Sequence, residues 1–320
     1  MSAGQPRDPH RVVALGGGHG LAASLAALRR VVDDLTAVVT VADNGGSSGR
    51  LRNELGVLPP GDLRQALAAL CGDDEWGSTW ARVLQHRFAS SGELHNHAVG
   101  NVLIVALWEL LGEHVAGLDW VARLLGAEGR VLPMTAVPLD ITARVAGLDT
   151  ADPDRLETVR GQVGVATTRG RVVDVALEPS DPPACTEAVA AVKAASHVVL
   201  GPGSWFTSVI PHLLVPGLSE ALCDTEATRV VTLNLAAQAG ETEGFSPDAH
   251  LEVLAAHAPR LRVDVVLADR HSVQDVDALR RTAGSLGAEL VVADVAVGDG
   301  SPRHDPQRLA KAYAEILNGG

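Results

Sequence analysis

The sequence predicts an α/β protein: a Rossmann-like doubly wound, mostly parallel sheet with a helical insertion and a small β-rich insertion. Three observations predict it. Short valine-rich runs ("RVVAL", "TAVVTVA", "SHVVLG", "RVVTLNL", "VDVVLA", "ELVVADV") recur along the chain. They lack the polar alternation of a half-solvated strand, as strands covered on both faces by helices do. Longer Ala/Leu-rich stretches separate them, as crossover helices would. Two glycine turns, "GGGHG" and "GPGS", each leave such a strand and open a helical pattern, the place where open α/β sheets bind ligands.

Taken in order, residues 1–10 ("MSAGQPRDPH") hold no apolar run and read as a flexible N-terminus, and 11–320 read as a single Rossmann-like domain. The first strand passes through Gly16, Gly17, Gly18, His19 and Gly20 into a helix from Leu21. Leu21 stands where a dinucleotide fingerprint has its last glycine, so the match to that fingerprint is partial. "TAVVTVA" is the second strand. From about 60 to 127 the patterns "GDLRQALAAL", "WGSTWARVLQHRF", "VGNVLIVALWELL" and "LDWVARLLG" follow one another without a strand, which predicts a helical insertion. From about 130 to 180, "VLPMTAVPLDITARVAGL" and "VATTRGRVVDVALEP" read as strands around turns, a β-rich insertion before the sheet resumes at His197.

Composition narrows the function classes. With 320 residues, 46% hydrophobic and 20% charged, the chain can bury a large core. A net charge of −13 repels a nucleic-acid backbone, and no Lys/Arg stripe with interleaved aromatics offsets it. Cys71, Cys185 and Cys223 are scattered without metal-ligand spacing, as in a reducing compartment. No run of eighteen apolar residues and no leader-like segment occurs. The expectation is a cytoplasmic protein that binds neither membrane nor nucleic acid.

The two glycine turns read equally as tight-turn geometry or as phosphate cradles when taken singly. Together at one sheet edge they favour a phosphate ligand, with Gly201, Gly203 and Ser204 in the second turn. Asp43 sits at the predicted end of the second strand, followed by a flexible polar loop of Asn44, Gly45, Gly46, Ser47, Ser48, Gly49, Arg50 and Arg52. Such a loop suits a charged phosphate or sugar, with Asp43 and Asn44 as oxygen ligands for Mg²⁺. Asp62 reads as either a helix cap or a site residue, and Arg64 one turn in faces either cleft or solvent. His95 and His97 lack further ligands at zinc spacing. "NLAAQAGETEGF" places Asn234, Gln238, Gly240, Glu241 and Thr242 after another strand, where a cleft residue and a plain loop residue look alike. No serine elbow, Walker lysine or catalytic Cys/His pair is present.

At "GGGHG", "TVADNGGSSGRLRNELGVLPPGDLRQAL", "HAVGN", "LGPGSWFTSVIPHLLVPGL" and "RHDP" the chain resembles the gluconeogenesis factor (YvcK) family, in the superfamily of 2-phospho-L-lactate transferase. The resemblance runs from Arg11 to the C-terminal helix. It implies a UDP-N-acetylglucosamine-binding regulator, a sensor rather than an established enzyme, that links carbon supply during gluconeogenic growth to cell-wall precursor synthesis and cell shape. It requires no cofactor. An amino-sugar biosynthesis enzyme is the implied protein partner, and the oligomeric state, a homodimer included, stays open. By matching motif, Gly16 to Gly20 and Gly201 to Ser204 would hold the diphosphate. Asp43, Asn44 and the loop of Ser47, Ser48, Gly49 and Arg50 would face the same cleft, with Asn101 and Arg303 as further contacts. His19 replaces a common Thr, Asn44 a common Asp, and Ala283 stands at about the place of a tyrosine that some relatives set against the UDP-sugar. The alternative is a Mg²⁺-dependent transferase of the phospholactate type with a guanylylated donor. An NAD(P) oxidoreductase is disfavoured by Leu21 and by the lack of a proton-transfer pair.

Overall fold

The computed structural model describes residues 10–238 and 241–319. Most of the predicted N-terminal segment, and Gly240, therefore lie outside the described residues. The main sheet contains β1 (Arg11–Gly16), β2 (Asp34–Val39) and β3 (Arg130–Pro133). Three short strands, β4 (Asp140–Ala146), β5 (Glu157–Arg160) and β6 (Arg171–Glu178), form a separate antiparallel sheet. The chain then returns to the main sheet with β7 (His197–Leu200), β8 (Thr228–Thr232), β9 (Val265–Asp269) and β10 (Glu289–Ala293). Seven strands lie in the order β10-β9-β8-β7-β1-β2-β3, and all six pairings are parallel.

The valine runs behave as both-face burial requires. Val12, Val13, Ala14 and Leu15 of β1 and Val198, Val199 and Leu200 of β7 are all 3% exposed or less. Helix Gly18–Leu28 packs between helices Gly61–Ala69 and Pro306–Gly319, while Thr186–Ala194 packs on Pro216–Asp224 and against β1 and β3. Right-handed crossovers running in opposite directions from β1 and β7 put these two groups on opposite faces.

Several boundaries differ from the sequence reading. Arg130–Pro133 is the edge strand of the main sheet, so the β-rich insertion proper begins at β4. Strand β5 and the short helix Gln162–Ala166 were not expected, because a four-residue polar strand and a five-residue helix carry no readable period. Helix Gly61–Ala69 is a layer helix against helix Gly18–Leu28 and not part of a projecting cap. Strand β2 ends at Val39, leaving Asp43 four residues beyond it. Residues expected as a flexible loop form helix Gly46–Leu55. Glycines and serines give this segment little intrinsic helicity. Tertiary bonds hold it instead, since Ser48 Oγ accepts the Gly61 N–H at 2.7 Å.

The two glycine turns touch. A β-carbon on Gly20 would lie 2.2 Å from the Pro202 carbonyl oxygen and 2.6 Å from Gly203 Cα. Gly92, by contrast, faces open space. Gly20→Ala is expected to destabilise the fold by about 1–3 kcal/mol, the usual cost of overpacking, and Gly92→Ala by less than about 0.5 kcal/mol. Urea unfolding of the two variants measures this, and equal midpoints would contradict the contact.

Candidate functional site

Strand β1 pairs with β2 on one side and β7 on the other. From β1 the chain proceeds toward β2, and from β7 toward β8, so the turns after β1 and β7 diverge and leave a crevice at the carboxyl end of the sheet. The first turn enters helix Gly18–Leu28 with Gly18 at φ +57° and no side chain capping the helix. Its free N–H groups carry the positive end of the helix dipole. The second turn needs Gly201 at φ +75° and Gly203 at φ +145°, backbone values that disfavour other residues. Asn234 locks it: its Oδ1 accepts the Gly203 N–H and its Nδ2 donates to the Gly203 carbonyl, each at 2.8 Å.

Three cavities lie in sequence along this edge. The middle one, about 530 Å³, is lined by His19, Gly20, Gly203, Asn234, Arg303 and His304 among others. It shares residues 234–237 with an outer cavity of about 550 Å³ over β8 and β9, lined by Phe245, His250, His271, Val273 and Leu279. It shares His19, Gly20, Gly203 and Gln238 with an inner cavity of about 360 Å³ that includes Asp62, Gln162, Ser204, Ser208 and Glu241. The outer and inner cavities share no residue.

Charge changes along the row. In the middle cavity Arg303 is the cation, oriented by Asp299 at 2.8 Å and by the Ser301 hydroxyl at 3.0 Å. His304 beside it is held neutral, its pKa lowered to about 4 by burial. In the inner cavity burial, and then the nearby Asp43, push the Asp62 carboxyl up to about 7, against a Gly18 N–H that favours its charged form. Burial likewise raises Glu241, although the Ser204 and Thr207 hydroxyls and the Phe206 and Thr207 N–H groups bond to it. A side chain at Gly17 would collide with Asp62, its β-carbon 2.7 Å from Oδ2.

Of the residues nominated from sequence, Gly17, Gly18, His19, Gly20, Asp62, Gly203, Ser204, Asn234 and Arg303 line the crevice. The others stand behind it. Gly16 ends β1, and Gly201 begins the second turn. Gly49 lets its helix pass the Asn44 carbonyl, which would lie 2.1 Å from a β-carbon. Asn44 Oδ1 accepts the Val163 N–H at 3.1 Å and so ties the β-rich insertion to the crevice. Asp43 Oδ1 accepts the Gly45 N–H at 2.8 Å. Arg64 Nε donates to Asn101 Oδ1 at 2.9 Å, Asn101 Nδ2 donates to Ser47 Oγ at 3.1 Å, and Ser47 Oγ lies 3.1 Å from His97 Nδ1. This buried chain clamps helix Gly46–Leu55 to helix Val99–Leu111; burial and Arg87 lower the Arg64 pKa to about 10. Arg50 donates to the carbonyls of Glu93 and His95, away from the crevice.

Of the two readings of Asp62, the helix cap does not hold: its carboxyl receives the Gly18 N–H across the crevice floor. Ala283 is fully buried and lines none of the three cavities. Among the described residues no group of three or more His, Cys, Asp or Glu is gathered for a metal. Sequence reasoning missed Gln162, His250 and His271, which lie on unrecognised elements or on loops without a motif.

Among the described residues no single helix is long and apolar enough to cross a membrane. The apolar pair Trp205–Leu213 and Pro216–Asp224 is bent by 76°, and its large side chains Trp205, Phe206, Ile210, Leu218 and Leu222 are fully buried.

A parallel sheet with two glycine turns meeting at its switch point defines an α/β protein of the Rossmann type with a ligand crevice. More narrowly, the chain belongs to the 2-phospho-L-lactate transferase CofD family, whose model matches residues 12–300. It is 57% identical over 302 residues to a Mycobacterium tuberculosis H37Rv protein provisionally named a gluconeogenesis factor, covering 93% of this chain and 88% of that one. It is 34% identical over 318 residues to the gluconeogenesis factor of Listeria monocytogenes, covering 96% and 95%. A crystal structure of a UPF0052 family member from Bacillus halodurans superposes with a TM-score of 0.84 at 30% identity, over 96% of this chain and 99% of that one.

The raised Asp62 carboxyl fixes a pH dependence. Its folded pKa of about 7 exceeds the ordinary aspartate value of 3.8, so the folded state binds the proton more tightly. Folding therefore loses stability as pH rises from about 4 to about 7, by on the order of 4 kcal/mol, and no more above that range. Asp62→Asn keeps an acceptor for Gly18 but removes the ionisation. Its melting temperature is expected to exceed the parent's by more at pH 8 than at pH 5; an equal gap at both would contradict the buried carboxyl.

Proposed function

We propose that the protein binds a nucleotide sugar, UDP-N-acetylglucosamine or a close relative, and acts as a regulator that couples carbon metabolism during gluconeogenic growth to cell-wall precursor synthesis and cell shape. The observation that carries the binding is the row of three cavities: an outer one of mixed lining, where Phe245, Val273 and Leu279 stand beside Asp248 and Asp275, then one that carries Arg303, then an acidic one. A base suits Phe245, Val273 and Leu279 in the outer cavity. A diphosphate suits the His19 and Gly20 amides and the Arg303 guanidinium in the middle. The regulatory role follows the gluconeogenesis factors to which the chain is similar. The protein that reads the bound state would be an enzyme of amino-sugar biosynthesis.

One observation favours a second reading. Asp43 and Asp62 lie close enough for the charge of one to raise the other. Such a pair suits Mg²⁺, which takes one or two carboxylates and completes its shell with substrate phosphates and water. When bound it would neutralise charge on a transferring phosphoryl group. Asp43 and Asp62 would hold it for a transfer of the 2-phospho-L-lactate type, the activity named in the family's description, with a guanylylated donor.

Titration calorimetry separates the two. UDP-N-acetylglucosamine is expected to bind without Mg²⁺, and Arg303→Ala to weaken it by about tenfold, the loss of one charge-assisted contact. Binding of a guanosine diphosphate alone, and only with Mg²⁺, would overturn the regulator reading in favour of the transferase.

A further inference from the structure

Helix Val99–Leu111 has the composition of a helix that belongs inside a protein. Its sequence, "VGNVLIVALWELL", contains a single charge, Glu109. A helix that is apolar all round is stable where every face is covered. One face is covered: Gly100, Asn101, Ile104, Val105 and Trp108 are buried, and the helix packs on helices Gly61–Ala69, Glu75–Gln85 and His114–Leu125. The opposite face is not. Val102 is 38% exposed and Leu110 77%, and Ala106 between them is exposed as well. Their spacing of four residues puts all three on one stripe, about 12 Å long at the rise of an α-helix.

The two ends of this stripe differ in charge. At the N-terminal end exposed Arg87 bridges to Ala98 through its backbone, and Arg50, Glu54 and Glu93 stand close enough to act on His97. Both signs therefore meet there. At the C-terminal end stand Glu109 and Glu113, both exposed.

We propose that the stripe is the contact of a homodimer in which two Val99–Leu111 helices cross antiparallel at Ala106. A twofold contact needs a surface complementary to itself, and this one is. With the helices antiparallel, Val102 of each copy meets Leu110 of the other, and the small Ala106 side chains meet at the axis and let the helices approach. Glu109 and Glu113 of each copy then lie toward Arg87 of the other. Parallel helices would set these glutamates against their own copies, whereas antiparallel ones also oppose their dipoles favourably. A membrane is a poorer occupant. Thirteen residues fall short of the roughly 20 that span a bilayer, and a chain of net charge −13 is repelled by an anionic lipid surface. The dimer is independent of any ligand in the crevice.

Sedimentation equilibrium of the full chain, from about 1 to about 200 µM, is the experiment. One helix face is smaller than the roughly 1,200–2,000 Å² of tight complexes, so a dissociation constant in the micromolar range is expected. Leu110→Glu is expected to weaken the dimer at least about tenfold, with an unchanged far-ultraviolet circular dichroism spectrum because residue 110 is mostly solvated in the single chain. Glu109→Arg weakens it too, and adding Arg87→Glu to that variant restores it. Ala106→Cys crosslinks the dimer under copper–phenanthroline beyond any crosslinking of the parent chain, whose Cys71 and Cys185 are buried. A parent chain that stays monomeric at about 200 µM overturns the proposal. If that monomer binds phosphatidylcholine vesicles and Leu110→Glu does not, the stripe is a lipid contact instead. A dimer that Leu110→Glu leaves intact overturns the proposal as well, because another surface then holds it. A dimer without crosslinking at position 106 overturns the antiparallel crossing.

Discussion

The contact between two backbone turns governs this crevice. The Pro202 carbonyl reaches so near Gly20 that only a hydrogen fits between them, and Gly203 lies against the same spot. That approach is achieved at the one place where neighbouring parallel strands, β1 and β7, send their connections in opposite directions. The glycines there are required by close packing and by positive φ, and Asn234 holds the second turn through both hydrogen-bonding groups of Gly203. With the turns fixed, the amides of helix Gly18–Leu28 and the side chains of the second turn point into one space.

Around that contact the protein separates charge. Arg303 comes from the far end of the chain and stands on the middle cavity, whereas Asp62 and Glu241 stand on the inner one. A uniformly basic crevice would bind any phosphate. A graded one selects a molecule whose anionic centre has an apolar group on one side and a donor-rich group on the other. The Arg64–Asn101–Ser47 chain takes no part in lining the crevice; it fixes the helix that follows Asp43 and so the position from which Asp43 acts on Asp62.

The fold was legible because valine runs without alternation have one physical explanation, burial on both faces, and "RVVAL", "SHVVLG" and "RVVTLNL" all became central strands. The site was legible where backbone geometry demands glycine. It was less legible where polar residues fulfil structural tasks. Ser47, Ser48, Arg50, Arg64 and Asn101 have the composition of a phosphate loop, yet their hydrogen bonds go to one another and to backbone groups. Sequence composition cannot tell a donor turned toward a ligand from one turned toward a neighbour. Glu241 illustrates the converse. Its stretch "AGETEG" reads equally as cleft or as plain loop, and only burial beside Ser204 gives the carboxylate its meaning.

The central claim is that the two turns hold a diphosphate between them. A crystal structure of the protein with UDP-N-acetylglucosamine tests it most directly. The account predicts the two phosphates in the middle cavity, within hydrogen-bond reach of the His19 and Gly20 amides and of Arg303, with uracil toward Phe245 and the sugar toward Glu241. Phosphates found in the surface recess of Arg50, Arg87 and His95, with the crevice between the glycine turns empty, would contradict it.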